Sequence, residues 1–175
     1  MELMQAFKYC PRCSNTFKQE NGVLVCTSCG LHFYNNPKPC TSVVFVNSKG
    51  EYLLVKRAVD PKKGWWDIPG GFVEDGETFE QSAKREVKEE LGLTVDDLQY
   101  FGSFYDKYLY QNIVYSTLAV VYTAKLPDGT ITPDDDVADY AFFKPNEIPL
   151  DRLAFPSMIE TFKQLNAAYT ASASP

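Results

Sequence analysis

Hydrophobic and polar positions recur with two different periods along this chain of 175 residues. Short runs rich in β-branched and aromatic residues predict strands, and the first two runs flank a turn-forming segment at 47–50. The predicted strands are 41–46, 52–56, 98–108, 113–125 and 137–143. Segments in which apolar side chains recur every three or four residues predict helices at 78–91 and 156–168. This order of elements predicts an α/β domain.

The first predicted helix carries signals at both of its ends. Thr78 and Gln81 have the spacing of a capping box, and Gly92 stands just past the last apolar position, where helices often end. Between these signals, apolar residues recur every four positions from Ala83 to Leu91. The pattern predicts a helix with one buried stripe.

The other side of this helix is strongly acidic. At about 100° per residue, Glu86, Glu89 and Glu90 fall within an arc of roughly 100°. One interpretation is a solvated face supported by i, i+4 pairs such as Arg85–Glu89. The other is an oxygen cage for a hard divalent cation, Mg²⁺ or Mn²⁺. The charge pattern alone does not decide between them.

Composition limits the partners to expect. The chain has 17 basic and 23 acidic side chains, a formal net charge of -6, so it carries no overall basic footprint for nucleic acid. The longest uncharged stretch, between Lys107 and Lys125, is too short and too polar to span a bilayer. The first residues lack the basic and then apolar pattern of a secretory signal. We therefore expect a cytoplasmic protein with no membrane partner and no nucleic-acid partner.

Four of the five cysteines form two C-x-x-C pairs near the N-terminus, Cys10 with Cys13 and Cys26 with Cys29. Two such pairs supply the four thiolates of a tetrahedral Zn²⁺ site, which leaves no open position and is therefore structural. Disulfides are the alternative, and a reducing compartment counts against them. His32 follows the second pair and is interpreted as a surface or packing residue.

Composition changes near residue 37, where the prolines at 37 and 39 indicate a rigid connector. We predict a zinc module at 1–36, which has too little apolar sequence to fold without a metal. A larger domain is predicted at 37–169, and residues 170–175 are predicted to be a disordered tail.

The segment from Gly71 to Leu93 has defined residue types at fixed spacing. It matches G-x5-E-x7-R-E-U-x-E-E-x-G-U, with U aliphatic, at every defined position. This motif resembles the Nudix box. The resemblance implies a Nudix α/β/α sandwich with a mixed β-sheet, and the cysteine module is similar to the zinc ribbon of some ADP-ribose/FAD pyrophosphatases and, less closely, of NADH pyrophosphatases. It further implies hydrolysis of a nucleoside diphosphate linked to a moiety X, giving a nucleoside monophosphate and X-phosphate.

The resemblance also implies roles for single residues. It assigns catalytic roles to five residues of the motif, namely Glu77, Arg85, Glu86, Glu89 and Glu90. The last three are the implied ligands of Mg²⁺ or Mn²⁺, Arg85 would orient a glutamate, and Glu77 would support the loop. The Gly71 carbonyl is a further candidate ligand. Asp136, in a later acidic run, is another, and a solvated acidic loop is the alternative for that run.

Two segments bear on the substrate. Residues 94–105 lack the S-Q-P-W-P-F-P-x-S segment of NADH pyrophosphatases, whereas 148–157 resemble the C-terminal segment of zinc-ribbon ADP-ribose/FAD pyrophosphatases. We expect an ADP-ribose/FAD-like small-molecule substrate. An NADH or dinucleoside-polyphosphate hydrolase, and a non-catalytic nucleotide sensor with a zinc-ribbon docking module, are the alternatives.

Aromatic side chains are the candidates for contact with adenine or flavin. The predicted substrate-binding residues are Trp66, Tyr105, Tyr108 and Tyr110. Ordinary packing in the sheet is the alternative for each of them. From the resemblance we also expect that the protein forms a homodimer.

Overall fold

The computed structural model describes residues 1–172, and the side chains of residues 1–168. Its helices and strands are α1 (Leu3–Ala6), β1 (Phe17–Glu20), β2 (Val23–Cys26), β3 (His32–Tyr34), β4 (Lys38–Val46), β5 (Tyr52–Arg57), β6 (Trp66–Asp67), α2 (Phe79–Leu91), β7 (Gln99–Tyr110), β8 (Ile113–Lys125), β9 (Val137–Phe143) and α3 (Pro156–Ser172). A short 3₁₀ helix, Leu150–Arg152, precedes α3. No helix in the described part of the chain combines the length and the apolar character that crossing a membrane requires.

The chain divides into two compact units. The first comprises Met1–Lys38 and Lys107–Thr117, and the second comprises Pro39–Asp106 and the chain from Leu118 onward. The sequence prediction placed 107–117 in the larger domain. In the first unit these residues contact the N-terminal segment, because the Val114 N–H donates to the Met1 carbonyl at 2.9 Å and Lys107 pairs with Glu2 at 3.2 Å. The domain bounds from the sequence stay a prediction.

The N-terminal unit is built on a three-stranded antiparallel sheet in the order β1-β2-β3. Leu24 of β2 lies opposite Phe33 of β3 and is 5% exposed. The Phe33 ring lies 4.5 Å from that of Phe7 and 6.5 Å from that of Phe17, measured between centroids. This apolar core is small, which agrees with the expectation that the module needs a further cross-link.

The larger unit contains a six-stranded sheet in the order β6-β5-β4-β8-β7, with β9 paired antiparallel to β5. Successive side chains of its central strands point to opposite faces. Val43 and Leu53 join the core beneath α2, whereas Val44 and Leu54 join the core beneath α3. Both faces are therefore buried under a helix, and the predicted α/β/α sandwich with a mixed sheet is confirmed.

Helix α2 begins and ends where the sequence predicts. The Thr78 hydroxyl accepts from the Gln81 N–H at 3.3 Å, and the Gln81 side chain accepts from the Thr78 N–H at 2.8 Å. Gly92 ends the helix with φ at 71°, a left-handed conformation that glycine adopts easily. The N-terminal capping box and the C-terminal glycine therefore fix the register of the acidic face.

Helix α3 is longer than predicted. It continues to Ser172, so residues 170–172 are helical although the sequence assigned them to a disordered tail. Alanines at 167, 168 and 171 favour the helix, and the segment has no glycine or proline that would end it earlier. The remaining residues of the predicted tail, 173–175, lie outside the described residues.

Candidate functional site

Arg85 on α2 is the centre of a charged network. Its guanidinium donates to both carboxylate oxygens of Glu77, at 2.7 and 3.0 Å. Its Nη1 donates to Glu86 at 2.8 Å and to Glu89 at 2.9 Å. Its Nη2 also donates to the Phe72 carbonyl at 3.0 Å. One planar guanidinium thus holds three carboxylates and the preceding loop in a fixed arrangement.

Glu77 closes the loop that leads into α2. Its carboxylate accepts from the Glu74 N–H at 3.0 Å, and its own N–H donates to the Glu74 carbonyl at 3.2 Å. The hydrogen bonds from Arg85, and then the one from Glu74, lower the pKa of Glu77 to about 2. The Glu77 side chain is therefore ionised at neutral pH and holds the loop against the helix.

Glu90 is the buried carboxylate of the site, with 7% of the residue exposed. Its Oε2 accepts from the Gly70 N–H at 2.9 Å. Burial raises the pKa of Glu90 well above its usual value, the Gly70 N–H opposes this, and the nearby charges of Asp67, Glu86 and Asp136 raise the pKa further. A cation bound here would relieve the repulsion between these carboxylates and the cost of burying the Glu90 charge.

Two glycines let the backbone approach these carboxylates. Gly70 has φ at 147°, and a Cβ there would lie 2.8 Å from the Ser42 Cα of β4. A Cβ at Gly71 would lie 2.6 Å from the Glu86 carboxyl carbon, so this carboxylate rests directly against the glycine. The Gly71 carbonyl accepts from the Thr41 N–H at 2.8 Å, which uses one of its two lone pairs. Its role as a metal ligand stays a prediction.

An acidic loop is attached to the C-terminal end of α2. The Asp134 N–H donates to the Glu90 carbonyl at 3.1 Å, and the Thr132 N–H donates to the Leu91 carbonyl at 2.9 Å. These two bonds satisfy carbonyl groups that a helix end otherwise leaves unpaired. They also fix the loop beside the carboxylates of α2.

The side chains of this loop add negative charge to the site. The charge of Asp136 raises the pKa of Glu90, and that of Asp135 raises the pKa of Glu86, for which burial is the largest cause. The structure therefore places the predicted Asp136 near the helix glutamates. Asp135, which the sequence did not single out, lies near them as well.

Nothing in the sequence pointed to a partly buried ion pair at the site. Arg57 Nη1 lies 2.7 Å from Asp67 Oδ2, and the Ile68 N–H donates to the other oxygen of Asp67 at 2.8 Å. Arg57 Nε also donates to the Pro61 carbonyl at 2.7 Å. Burial raises the pKa of Asp67 and the Arg57 charge opposes the shift, while the Asp67 charge acts on Glu90.

The predicted aromatic contacts occupy different environments. The Trp66 ring packs edge-on against Phe143, with centroids 5.1 Å apart, in the core beneath α3. Tyr105 is 54% exposed on β7. Tyr108 and Tyr110 belong to the part of the hairpin that groups with the N-terminal unit, where their centroids are 6.3 Å apart. A substrate contact by any of the four stays a prediction.

The four N-terminal cysteines come together as predicted. The sulfur atoms of Cys10 and Cys29 lie 3.7 Å apart, those of Cys13 and Cys26 lie 3.4 Å apart, and all four are within 4.8 Å of one another. A tetrahedral zinc with Zn–S bonds of about 2.3 Å places its sulfur ligands at about 3.8 Å from each other. The cluster therefore fits Zn²⁺.

Neighbouring groups shift the pKa values of this cluster in opposite directions. A backbone hydrogen bond with Leu31 lowers the pKa of Cys29, but the hydrogen bond with Cys13 and burial outweigh it and raise that pKa to about 11. The backbone N–H groups of Cys29 and Ser28 lower the pKa of Cys26 to about 6. His32 is exposed, and its ring meets Tyr34 edge-on with centroids 6.3 Å apart, so it is not part of the cysteine cluster. The interpretation of His32 as a surface residue agrees with this placement.

The carboxylate oxygens of the helix glutamates are less closely grouped than the sulfur atoms of the four cysteines. Among residues 1–168, only the cysteine cluster brings three or more candidate ligand atoms within 4.8 Å of one another. Arg85 draws Glu86 and Glu89 to one side, whereas the Gly70 N–H holds Glu90. Their carboxylate oxygens are nevertheless the donor type that Mg²⁺ and Mn²⁺ prefer.

Comparison with known proteins identifies the family. The NUDIX domain profile matches residues 36–165. NAD-capped RNA hydrolase NudC from Haemophilus influenzae (strain PittGG) is 38% identical over 105 residues, 57% of this chain and 39% of that protein. The chain spans about two fifths to about half of the length of the curated relatives it matches.

Solved structures show the same fold. A NUDIX hydrolase from Nitrosomonas europaea superposes with a TM-score of 0.67 at 26% identity, covering 90% of this chain and 92% of that one. The NUDIX domain of Shewanella oneidensis NrtR, complexed with ADP ribose, has a TM-score of 0.64 at 20% identity over 78% of this chain and 90% of that one. With the family profile matching most of its length, this chain belongs to the NUDIX domain family.

Proposed function

We propose that this protein is a metal-dependent pyrophosphohydrolase. It cleaves the diphosphate bridge of a nucleoside diphosphate linked to X, and it releases a nucleoside monophosphate and X-phosphate. The observation that carries the proposal is the arrangement around Arg85, which fixes Glu77 of the preceding loop and Glu86 and Glu89 on the acidic face of α2. A solvated helix face needs no such arrangement, because exposed acidic side chains are stable without a common partner.

The residues of the chain have distinct tasks in this reaction. The metal ion, Mg²⁺ or Mn²⁺, would be held by Glu86, Glu89 and Glu90. The ion would neutralise phosphate charge and make a bound water more acidic. Arg85 orients Glu86 and Glu89 by charge-assisted hydrogen bonds. The Gly70 N–H orients Glu90. A glutamate of the motif, or an acid of the loop that carries Asp136, takes the proton of the attacking water.

The cysteine cluster is proposed to hold a structural Zn²⁺. Its four sulfur ligands complete a tetrahedron, so no coordination position is left for a substrate. The metal would serve the fold of the N-terminal unit, whose apolar core is small.

An ADP-ribose/FAD-like compound is the proposed substrate class. The support is the resemblance of residues 148–157 to the C-terminal segment of zinc-ribbon ADP-ribose/FAD pyrophosphatases. The NUDIX domain of S. oneidensis NrtR, which shares the fold, binds ADP ribose in its crystal. Adenosine diphosphate joined to X is the chemical feature common to these ligands.

An NAD-like substrate is a second candidate. Several curated relatives are named NAD-capped RNA hydrolase, and one is 38% identical to this chain over 105 residues. Residues 94–105, however, lack the proline- and tryptophan-containing segment that is typical of NADH pyrophosphatases. ADP-ribose, FAD and NAD all contain adenosine diphosphate. The preference of the enzyme among them therefore depends on how it binds X.

A product-resolved screen tests the proposal. The full-length protein is assayed with ADP-ribose, FAD, NADH and a dinucleoside polyphosphate, each with Mg²⁺ and with Mn²⁺. We expect AMP and an X-phosphate as products, with the highest kcat/KM on ADP-ribose or FAD. A higher kcat/KM on NADH would favour the second candidate. Tight binding of ADP-ribose without metal-dependent turnover would contradict an enzyme and favour a nucleotide sensor.

A further inference from the structure

The chain changes its strand partner just before the glycines of the candidate site. Asp67 is the last residue of β6 and lies opposite Val55 of β5. Two residues later, the Pro69 carbonyl accepts from the Val43 N–H of β4 at 2.9 Å. The segment 67–69 therefore crosses from β5 to β4, and Gly70 follows directly after this crossing.

The crossing aims the Gly70 N–H at the buried carboxylate of the site. This N–H donates to Glu90 Oε2 at 2.9 Å, whereas the residue on either side of Gly70 bonds to β4 through its carbonyl. A Cβ on Gly70 would lie 2.8 Å from the Ser42 Cα, so the backbone packs directly against β4 here. The direction of the N–H, and the orientation of the carboxylate that it holds, therefore depend on where the crossing starts and ends.

Asp67 fixes the start of the crossing. Its Oδ2 accepts from Arg57 Nη1 at 2.7 Å, and its Oδ1 accepts from the Ile68 N–H at 2.8 Å. Its register partner Val55 belongs to the core beneath α2, so the Asp67 side chain lies on the face of the sheet that α2 covers. The carboxylate thus ties the backbone of the crossing to the end of β5, on the side of the sheet that carries the glutamates.

Arg57 is itself held from several directions. Its backbone N–H donates to the Trp65 carbonyl at 3.0 Å, and its Nε donates to the Pro61 carbonyl at 2.7 Å. Its guanidinium carbon lies 5.4 Å from the centroid of the Phe155 ring, within the range of cation–π attraction. Because these contacts restrict the guanidinium, it presents Nη1 to Asp67 at a fixed place.

Stability alone does not account for the acid at position 67. An ion pair with little exposure contributes little net stability, because the cost of desolvating both charges offsets their attraction. The side chains of Arg57 and Asp67 are only 13% and 15% exposed. The Asp67 charge also repels that of Glu90. An acid that brings this electrostatic cost to the edge of the site points to a role in placing its neighbours.

We propose that Asp67, held by Arg57, is a positioning residue for the hydrolysis reaction. It fixes the point at which the chain leaves β5 for β4, and it thereby keeps the Gly70 N–H on the Glu90 carboxylate in the orientation that metal binding requires. In this role Asp67 acts through Gly70 and needs no contact with the substrate. The inference rests on the proposed function and adds to it a pair of residues that precede the motif beginning at Gly71.

The Gly70 amide proton gives a readout that needs neither metal nor turnover. Pro69–Gly70 is the one proline–glycine step in the chain, so isotopic labelling of proline carbonyls and glycine nitrogens isolates a single amide signal in NMR spectra. A hydrogen bond to a carboxylate is strong and moves the proton signal downfield. Glu90→Ala removes the acceptor and supplies the reference position for a released Gly70 N–H.

Two variants weaken the pair in different ways. Asp67→Asn leaves one side-chain oxygen, which cannot accept from both Arg57 and the Ile68 N–H. Arg57→Lys keeps the positive charge, but one ammonium replaces the donors Nε and Nη1. Phe162→Leu is the control, because it removes buried volume beneath α3, where Phe162 packs against Tyr52 at the opposite end of β5. Thermal melting confirms that each variant is folded, and either pair variant alone suffices for the test.

We expect each pair variant to move the Gly70 signal at least about halfway towards the reference position. In turnover of ADP-ribose at saturating Mg²⁺, kcat should fall at least about tenfold while KM changes less than about threefold, because the geometry of the reacting groups is lost and substrate contacts are kept. Phe162→Leu should leave the Gly70 signal and kcat near their wild-type values, which separates positioning from a general loss of stability.

Three results would overturn the inference. The first is a Gly70 signal that stays at its wild-type position in the folded pair variants. The second is an equal displacement of this signal in Phe162→Leu. The third is a displaced signal with wild-type kcat in an active enzyme. If the wild-type protein hydrolyses no diphosphate substrate, the proposed function fails, and the amide signal alone decides whether Asp67 positions the Gly70 N–H.

Discussion

Glu90 shows how one side chain combines burial with function. Its carboxylate is desolvated, faces like charges and has one backbone donor, the Gly70 N–H. A glutamine keeps the shape and the hydrogen-bond acceptor but removes the charge that a metal ion requires. We expect Glu90→Gln, and separately Glu86→Gln, to lower kcat by at least ~100-fold with the fold intact.

Steady-state kinetics at saturating Mg²⁺ and thermal melting measure these two effects. Glu160→Gln, a change at an exposed residue of α3, is the matched control and should retain wild-type turnover. Near-native kcat in both motif variants would refute the metal roles assigned to Glu86 and Glu90.

The lowered pKa of Glu77 predicts how the stability of the protein changes at acidic pH. Its hydrogen bonds with Arg85 and with the Glu74 N–H lower its pKa to about 2, from an ordinary value of 4.5. Because the folded state prefers the ionised form, the stabilisation is complete above the ordinary value and is lost as the pH falls from about 4.5 towards 2. We expect Glu77→Gln to reduce stability at neutral pH and to weaken the dependence of stability on pH within this window.

Urea unfolding midpoints at a series of pH values measure this dependence. Glu147→Gln serves as the control, since Glu147 makes an exposed ion pair with Lys144. If the Glu77→Gln variant had the same profile as the wild type and the Glu147→Gln control, the stabilising role of the Arg85–Glu77 pair would be wrong.

At the scale of elements, long segments with a regular hydrophobic pattern were predicted well. The bounds of β8 and β9 agree with the sequence prediction, and α2 agrees because its cap residues are specific. The two-residue strand β6 and the short strands of the N-terminal unit were not predicted, because they are too short to show a period.

The candidate site was predicted only in part for a related reason. The spacing along one helix identifies Glu86, Glu89 and Glu90 as a group. The pairing of Arg57 with Asp67 depends instead on the register between β5 and β6, in which Val55 lies opposite Asp67. Register between distant segments is a tertiary property, and no local pattern in the sequence specifies it.

The cap of α2 gives a prediction at this scale. The Thr78 hydroxyl satisfies the Gln81 N–H, one of the donors that a helix start leaves unpaired. We expect Thr78→Ala to lower the free energy of unfolding by about 1 kcal/mol. Thr78→Ser keeps the hydroxyl and is the control. Chemical denaturation measures the difference, and equal stability of the Ala and Ser variants would show that the capping bond contributes nothing.

At the scale of the whole molecule, the two units differ in what stabilises them. The larger unit buries an apolar core on each face of its sheet. The N-terminal unit has few buried side chains, and the four cysteines link its two turn segments. A metal bound by four thiolates contributes its binding energy directly to folding when the core is this small.

Removing zinc should therefore affect the two units differently. We expect a chelator, or Cys26→Ser, to abolish the protection of backbone amides from hydrogen exchange in β1, β2 and β3, while the strands beneath α2 and α3 stay protected. Cys40→Ser is the control, because burial raises the pKa of the Cys40 thiol to about 12 and this cysteine is not part of the cluster. Hydrogen exchange read by mass spectrometry, with zinc release followed in the same samples, measures the effect. Protected amides in β1–β3 after complete loss of zinc would mean that the small apolar core is sufficient, and that the metal has another role.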